Sequence, residues 1–259
     1  MNKTALITGA TSGIGYELAY VHAKQGGNLV LVARNKTKLD QIKRDLENNF
    51  KINAYVIEKD LSLKDSAKDV YDEIIKNNIT VDYLINNAGF GDFGFFNDSD
   101  WGKLERMINL NITALTQLTK LFIADMIKQG SGKIMNVAST AAFQPGPTMA
   151  VYYATKAYVL SFSEAINNEV SGSGVTVTTL CPGPTKSGFQ EAASLRESRL
   201  VKGRILATSK EVAKYGYNAM LKGKSVAIPG IVNYLMANSV RFFPRSAVLR
   251  VARFIQDKR

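Results

Sequence analysis

Two adjacent tyrosines and a lysine lie close together in "VYYATKA", residues 151–157. A phenol beside an ammonium can move a proton to or from a carbonyl oxygen, which is general acid–base chemistry. Side chains three or four positions apart share one face of a helix, so either Tyr152 or Tyr153 could approach Lys156. Spacing alone therefore leaves open which tyrosine is the acid.

A glycine-rich turn is the second candidate site. "TGATSGIG" follows the first apolar run and puts Gly9, Gly13 and Gly15 ahead of a helical segment. Such a turn can receive a pyrophosphate: Gly9 permits the bend, Gly13 the close approach, and Gly15 the packing of helix on strand. A bare glycine pattern is weak evidence, and a turn without a ligand is the alternative. Its place after the first strand favours a dinucleotide site.

The end of the second apolar run indicates which dinucleotide is bound. "LVLVARNKTK" carries Arg34, Lys36 and Lys38 but no acid. An acid at this place hydrogen-bonds the ribose hydroxyls of NAD, whereas an arginine accommodates the 2′-phosphate of NADP. A guanidinium binds phosphate with a planar, charge-assisted fork. We therefore expect NADP(H), although an arginine that only faces solvent would give the same pattern.

The elements that position these residues follow an alternating pattern. The apolar, β-branched runs are TALIT, NLVLVA, INAYVIE, VDYLIN, GKIMNVAS, VTVTTLC and SVAIP. Helix-compatible segments between them cover 14–26, 36–48, 63–77, 101–128, 151–171 and 209–222. This alternation predicts an α/β protein with a seven-stranded parallel sheet and helices on both faces. Because no linker interrupts the series, we expect one doubly wound domain over residues 1–259.

The composition restricts the chemistry and the compartment. Hydrophobic residues make up 46 % of the chain, enough for one large core. A lone Cys181 cannot close an internal disulfide, which favours a reducing compartment. With His22 as the single histidine, a zinc site of nitrogen and sulfur ligands is disfavoured, and no metal is expected. No run reaches the ~18 apolar residues of a membrane span, so we expect a cytoplasmic protein.

Positive charge is concentrated at the end of the chain. The net charge is +11, and residues 241–259 hold six Arg or Lys against Asp257. Apolar residues alternate there with Arg250 and Arg253 after a possible cap at Ser246, which predicts a basic amphipathic helix. This helix could lie peripherally on an anionic membrane, contact an acidic carrier, or pack on the domain. No motif indicates specific nucleic-acid binding.

Taken together, these motifs resemble the short-chain dehydrogenase/reductase family over nearly the whole chain. The matching segments occur in the family's order: TGATSGIG, KDLS, NNAG, NLN, VAST, YYATK and CPGPTKS. Small residues replace small ones where the chain departs from the family, at Ala114, Thr140 and Ser187. The resemblance implies a Rossmann-like fold and an NADP(H)-dependent oxidoreductase similar to carbonyl reductases.

The resemblance also assigns catalytic roles. The Tyr-x-x-x-Lys pattern selects Tyr152 as the acid, which leaves Tyr153 for packing or a subunit interface. Ser139 would hydrogen-bond the substrate oxygen, and Asn111 would hold a water that relays protons. Lys156 would bind the nicotinamide ribose, and its ammonium is expected to lower the pKa of Tyr152.

Cofactor contacts are implied for further residues, with Asp60 at the adenine. Besides Tyr152 and Lys156 they are Gly9, Thr11, Ser12, Gly13, Ile14, Gly15, Arg34, Asp60, Leu61, Asn87, Ala88, Gly89, Pro182, Gly183 and Thr185.

The substrate side is less specific. Aromatic segments follow Gly89 and Ser139, and the family's substrate loop corresponds to residues 186–208, which are basic. These features suit a hydrophobic ketone or aldehyde, or a 3-oxoacyl thioester, unless the aromatics are only core. The resemblance implies a homo-dimer or homo-tetramer built on segments 101–128 and 151–171. The alternative function is a regulatory protein that binds NADP(H) without turnover.

Overall fold

The computed structural model describes residues 3–186 and 206–256. Its centre is a seven-stranded sheet in the order β3-β2-β1-β4-β5-β6-β9, and all neighbouring strands are parallel. The strands are β1 (Thr4–Thr8), β2 (Asn28–Ala33), β3 (Ala54–Glu58), β4 (Tyr83–Asn86), β5 (Gly132–Val137), β6 (Val175–Leu180) and β9 (Val226–Ala227). Two short strands, β7 (Thr185–Lys186) and β8 (Ala207–Thr208), pair separately. The predicted seven-stranded parallel sheet is confirmed.

Helices cover both faces of this sheet. They are α1 (Gly13–Lys24), α2 (Lys36–Phe50), α3 (Ser66–Lys76), α4 (Trp101–Ile108), α5 (Leu115–Gln129), α6 (Ala150–Glu169), α7 (Ser209–Leu221), α8 (Ile231–Ser239) and α9 (Arg245–Gln256). Successive side chains of a strand point to opposite faces. Ile7 accordingly packs in the core with α1, α2 and α7, whereas Leu6 packs with α3 and α5. The apolar runs are continuous because both faces are buried.

The strand order places a crevice beside β1. The chain leaves β1 for β2 and β3 on one side and returns to β4 on the other, so Ile7 pairs with both Leu31 and Ile85. In open α/β sheets, ligands bind at the carboxyl ends of the strands where the order reverses in this way. Residues after Thr8 and after Asn86 therefore meet at the predicted ligand site.

The helix predicted over 101–128 contains a break. Between α4 and α5 the chain forms a π-helical turn at Asn109–Ala114. A π-helical turn holds an extra residue and is often found at functional sites. This turn directs Asn111 into the interior, where it is almost fully buried.

His22 and Cys181 both pack inside the protein. The His22 ring nitrogens lie 2.8 Å from the Tyr217 hydroxyl and 3.0 Å from the Lys3 carbonyl, and burial lowers the pKa of this histidine. Burial raises the pKa of Cys181 to about 12. In the part of the chain that the structure describes, no acidic, His or Cys cluster could hold a metal ion. Within those same ranges, no helix is long and apolar enough to cross a membrane.

Candidate active site

A cavity of about 1520 Å³ opens at the carboxyl ends of the strands. All predicted site residues line it except Gly15 and Asn111, which lie directly behind its wall. Typical pockets for a drug-sized ligand have volumes of about 300–1,000 Å³, so there is room for a dinucleotide and a second molecule. Residues 187–205 of the predicted substrate loop, which include Ser187, lie outside the described ranges.

The glycine turn is hydrogen-bonded to β2 and packs closely against the residue that follows β4. Gly9 has a φ of +67° and donates from its N–H to the Val32 carbonyl at 2.9 Å. A Cβ on Gly15 would lie 2.4 Å from Asn87 Nδ2 and 2.5 Å from the Gly9 carbonyl oxygen. Because Gly15 has no side chain, the Asn87 amide can reach the turn. The sequence had indicated only that this glycine lets the helix approach the strand.

Thr8 is a site residue that sequence reasoning missed. Its hydroxyl oxygen accepts hydrogen bonds from the backbone N–H groups of Asn87 at 3.0 Å and Ala88 at 2.9 Å. Asn87 in turn donates from Nδ2 to the Thr8 carbonyl at 2.9 Å. These bonds fix the ends of β1 and β4 to each other. The only signal in the sequence is the position of Thr8 directly before Gly9.

The first turn of α1 is suited to an anion. Ser12 precedes the helix but its side chain makes no capping hydrogen bond, and Ser12, Gly13 and Ile14 line the cavity. The first N–H groups of a helix have no partner within the helix and carry a partial positive charge. This uncapped end therefore fits the pyrophosphate of a dinucleotide.

Arg34 and Asp60 lie together at the rim. The Arg34 side chain is 78 % exposed, and its guanidinium is 3.8 Å from the Asp60 carboxylate. Burial acts to raise the pKa of Asp60, but hydrogen bonds from Ser62 and the charges of Arg34 and Arg106 bring it below its ordinary value. Arg106, which sequence reasoning missed, also lines the cavity. This end of the cavity thus carries excess positive charge.

Tyr152 and Ser139 meet inside the cavity. Ser139 follows β5 and Tyr152 lies in the first turn of α6, and their side chains hydrogen-bond. Ser139 Oγ also accepts from the Ala141 N–H at 3.1 Å, which fixes its position. Burial raises the pKa of Tyr152, and the bond with Ser139 lowers it by less. At neutral pH the phenol is therefore protonated.

Lys156 lies one turn further along α6. Its Nζ donates to the Val137 carbonyl at 2.9 Å and is 5.8 Å from the centre of the Tyr152 ring. Burial lowers the pKa of Lys156 to about 8. The net shift of the Tyr152 pKa is opposite to the expected lowering, because burial is its largest cause and raises the pKa of the phenol. Among the described residues, the Val137 carbonyl is the single acceptor for Lys156 Nζ. Further N–H donors of this ammonium therefore remain for ribose hydroxyls.

Tyr153 has a different environment from Tyr152. Its ring lies against Gly146, where a Cβ would be 2.3 Å from the ring, and packs edge-on to Tyr152 at 6.1 Å. Its hydroxyl lies near the Gln256 side chain of α9, which lowers the pKa of Tyr153 by less than burial raises it. Although Tyr153 also borders the cavity, its hydroxyl lies near α9 rather than near Ser139. The geometry therefore separates the two tyrosines that spacing left equivalent.

Asn111 is fully bonded within the protein. Its Nδ2 donates to the Phe90 carbonyl at 3.0 Å and to Thr155 Oγ1 at 3.1 Å, and its Oδ1 accepts from the Phe90 N–H at 3.2 Å. These bonds tie the π-helical turn to the segment after β4 and to α6. The side chain of Asn111 thus positions the cavity wall. The role of Asn111 in holding a water that relays protons stays a prediction.

Comparison with known proteins identifies the family. The family model described as "short chain dehydrogenase" matches residues 3–198. This chain belongs to the short-chain dehydrogenase family. Short-chain dehydrogenases are oxidoreductases whose fold binds NAD(P). In this chain the uncapped helix, the glycine turn and the Tyr152–Ser139 pair line the same cavity.

Several relatives of this short-chain dehydrogenase are informative. An uncharacterized oxidoreductase of Staphylococcus epidermidis is 31% identical over 79% of this chain and 87% of its own. The human very-long-chain 3-oxoacyl-CoA reductase is 31% identical, over 70% of this chain but only 59% of its own. Among solved structures, a short-chain dehydrogenase from Sphingobium yanoikuyae in complex with NADPH has a TM-score of 0.83 at 30% identity, covering 93% of this chain and 92% of that one. The bulky-bulky ketone specific alcohol dehydrogenase from Comamonas testosteroni reaches 0.79 at 30% identity, with the same coverage.

The far wall of the dehydrogenase cavity is formed by α8, α9 and the segment between them. Most of the side chains there are apolar: Val232, Met236, Val240, Phe243, Val248, Val251 and Ile255. Sequence reasoning did not predict this wall, because no motif marks α8 or its position. The predicted basic helix is present as α9, and it packs on the domain with one side only.

Proposed function

We propose that this short-chain dehydrogenase reduces the carbonyl group of a hydrophobic ketone, aldehyde or 3-oxoacyl compound to an alcohol with NADPH, or catalyses the reverse reaction. The observation that carries the proposal is the hydrogen bond between Tyr152 and Ser139 inside a cavity that also holds the glycine turn. When bound, NADPH supplies the hydride. The residues of the chain supply the proton and hold the substrate.

Tyr152 is the proposed proton donor. A carbonyl that accepts a hydride becomes an alkoxide unless a proton arrives with it. Because burial raises the pKa of Tyr152, the phenol keeps its proton at neutral pH and is ready to donate it. Ser139, fixed by the Ala141 N–H, would share the substrate oxygen with Tyr152 and align the carbonyl.

NADP(H) is the proposed cofactor. Arg34 stands at the end of β2, its side chain is exposed at the rim, and no acidic residue occupies the place where an acid would bind the ribose hydroxyls. The NADPH complex of the Sphingobium protein supports this choice, at 30% identity. Lys156, with donors to spare beyond Val137, would hold the nicotinamide ribose.

A bulky hydrophobic substrate is proposed from the cavity wall. Side chains of α8 and α9 make that wall apolar, and the cavity volume exceeds the needs of a dinucleotide. The names of two relatives agree with such a substrate, since one acts on very-long-chain 3-oxoacyl-CoA and the other on bulky ketones.

The test follows NADPH absorbance with a panel of aldehydes, ketones and 3-oxoacyl thioesters. We expect turnover by the unchanged protein and a loss of at least about 100-fold in kcat for Tyr152→Phe, since proton transfer contributes 10²–10⁴-fold. Tyr153→Phe is the matched control and should lose only a few-fold, because its hydroxyl lies near Gln256 rather than near Ser139. Equal losses in both variants would overturn the assignment. Tight NADPH binding without turnover of any compound would instead favour the regulatory function.

A further inference from the structure

The exposed side of helix α8 is mostly apolar. Ile231 is 71 % exposed, Val232 65 % and Leu235 60 %, and Ala237 is the one buried residue of the helix. A helix on the surface of a soluble domain usually turns its polar residues outward and its apolar residues towards the core. The surface of α8 is therefore suited to an apolar environment.

The apolar exposure continues from α8 into α9. Phe242, which connects the two helices, is 84 % exposed, and Leu249, Val251 and Phe254 of α9 are exposed as well. The Arg253 guanidinium lies 5.0 Å from the ring of Phe95, itself an exposed aromatic residue. Soluble monomers rarely expose contiguous apolar areas of this extent without an interaction partner. We name residues 231–256 the C-terminal face.

The C-terminal face is also purely cationic. It contains Arg241, Arg245, Arg250 and Arg253 and no acidic residue. Among the described residues, none of these arginines forms a salt bridge. An apolar surface bordered by unpaired cations is complementary to a bilayer with anionic headgroups, which takes up the apolar side chains and pairs with the charges.

We propose that the C-terminal face docks this protein on an anionic lipid bilayer. Val232, Met236, Phe243 and Val251 are exposed on this face and also line the cavity, so the apolar cavity wall is continuous with the docking surface. A lipophilic compound dissolved in the bilayer would then reach Tyr152 without crossing water. That consequence rests on the proposed function, whereas the docking itself does not.

Other occupants fit the C-terminal face less well. A second copy related by two-fold symmetry would bring the same patch against itself, and arginines would face arginines with no acid to pair with them. An acidic carrier protein would satisfy the arginines but leave α8, which has no charged residue, without a matching surface. A bilayer satisfies both properties at once.

The experiment is co-sedimentation of the full chain with vesicles of phosphatidylcholine, alone or with phosphatidylglycerol. We expect binding to the anionic vesicles and its loss in the double variant Leu235→Glu/Phe242→Glu, which alters exposed residues outside the cavity lining. Arg241→Gln/Arg250→Gln should weaken binding by about thirtyfold, from the usual contribution of two basic residues at an anionic surface.

Matched controls place the same changes at the opposite edge of the sheet. Ile75 and Ile127 are exposed where α3 and α5 end, beside the amino ends of the strands. Ile75→Glu/Ile127→Glu and Lys76→Gln/Lys128→Gln should bind vesicles like the unchanged protein. All four double variants should keep their activity on a water-soluble carbonyl compound, so a failed docking proposal is distinguishable from a failed enzymatic one.

Three results would overturn the proposal. The first is that the unchanged protein stays in the supernatant with both kinds of vesicle, or binds an acidic carrier protein instead. The second is that the control variants lose binding as much as the variants of the C-terminal face. The third is that Leu235→Glu/Phe242→Glu lowers the oligomeric mass measured by light scattering, which would make the face a subunit interface.

Discussion

Lys156 brings a positive charge into the protein, where its side chain is almost fully buried. Burial lowers its pKa from 10.5 to about 8, so the protonated side chain destabilises the folded state. Below about pH 8, both the folded and the unfolded chain carry this proton, and the destabilisation is present in full. Between about pH 8 and 10.5 only the unfolded chain keeps the proton, so the contribution of Lys156 to the free energy of unfolding rises with pH.

Lys156→Met should therefore stabilise the cofactor-free protein while abolishing activity. Methionine has a similar length and carries no charge to desolvate. We expect the gain in unfolding free energy over the unchanged protein to be largest near pH 7 and to shrink as the pH rises from 8 towards 10.5. Urea unfolding at several pH values measures this difference. Exposed Lys128→Met is the control, and a gain that does not vary with pH would contradict the assigned burial of charge.

Arg34→Ala tests cofactor selection at a single residue. The guanidinium is exposed at the rim and 3.8 Å from Asp60, where it can turn to a 2′-phosphate. Losing a charge-assisted hydrogen bond of about 1.5–3 kcal/mol should weaken NADPH binding by roughly tenfold or more and leave NADH binding nearly unchanged. Fluorescence titration of both cofactors gives the ratio. Arg44→Ala, on the exposed side of α2, should alter neither affinity, and an equal loss for both cofactors would exclude the proposed role.

At the scale of elements, the sheet could be predicted because its strands are buried on both faces. Each strand is a continuous apolar run, and α2 at Lys36–Phe50 begins where the sequence predicted a helix over 36–48. The π-helical turn at Asn109–Ala114 could not be predicted, since one extra residue hardly disturbs an apolar period of 3.6. The packing of α8 was not predicted either, because an apolar segment of nine residues does not reveal whether it is buried.

The convergence of the site residues follows from topology, but their electrostatics do not. All the parallel strands end at one edge of the sheet, so motifs placed after β1, β4, β5 and β6 had to meet there. The direction of the Tyr152 pKa shift depends on how deeply the phenol is buried, which spacing along the chain does not show. The Thr8 bonds depend on the same long-range contacts.

Gly15→Ala should disable the glycine turn. The added Cβ would lie 2.4 Å from Asn87 Nδ2 and 2.5 Å from the Gly9 carbonyl, so the turn and the end of β4 must separate. We expect NADPH binding to fall below detection and the melting temperature to drop. Gly102→Ala in α4 is the control, since its Cβ would meet nothing closer than 3.5 Å and alanine favours a helix. Unchanged NADPH affinity in Gly15→Ala would contradict this account.

At the scale of the whole molecule, the site is divided between the two halves of the chain. The amino-terminal half supplies the glycine turn, Arg34 and Asp60, and the carboxyl-terminal half supplies Tyr152 and the apolar wall. Two contacts join the wall to the site. Gln256 lies beside the Tyr153 hydroxyl, and Asn233 packs so closely on Gly183 that a Cβ there would be 2.6 Å from it.

Removal of residues 245–259 should therefore affect large substrates selectively. Without α9, the cavity loses the apolar contacts of Val248, Val251 and Ile255, while Tyr152, Ser139 and Lys156 remain in place. Each lost methylene contact in a pocket reduces discrimination by about 1–3 kcal/mol, so kcat/KM for a bulky hydrophobic carbonyl should fall at least about tenfold. A small carbonyl compound should be turned over within a few-fold of the full chain.

A chain ending at Gln256 keeps the wall and is the matched control. Because α9 buries little apart from Ala252 and Gln256, the truncated protein should stay folded. An equal loss of kcat/KM for both substrates would show that α9 supports the catalytic residues rather than the substrate.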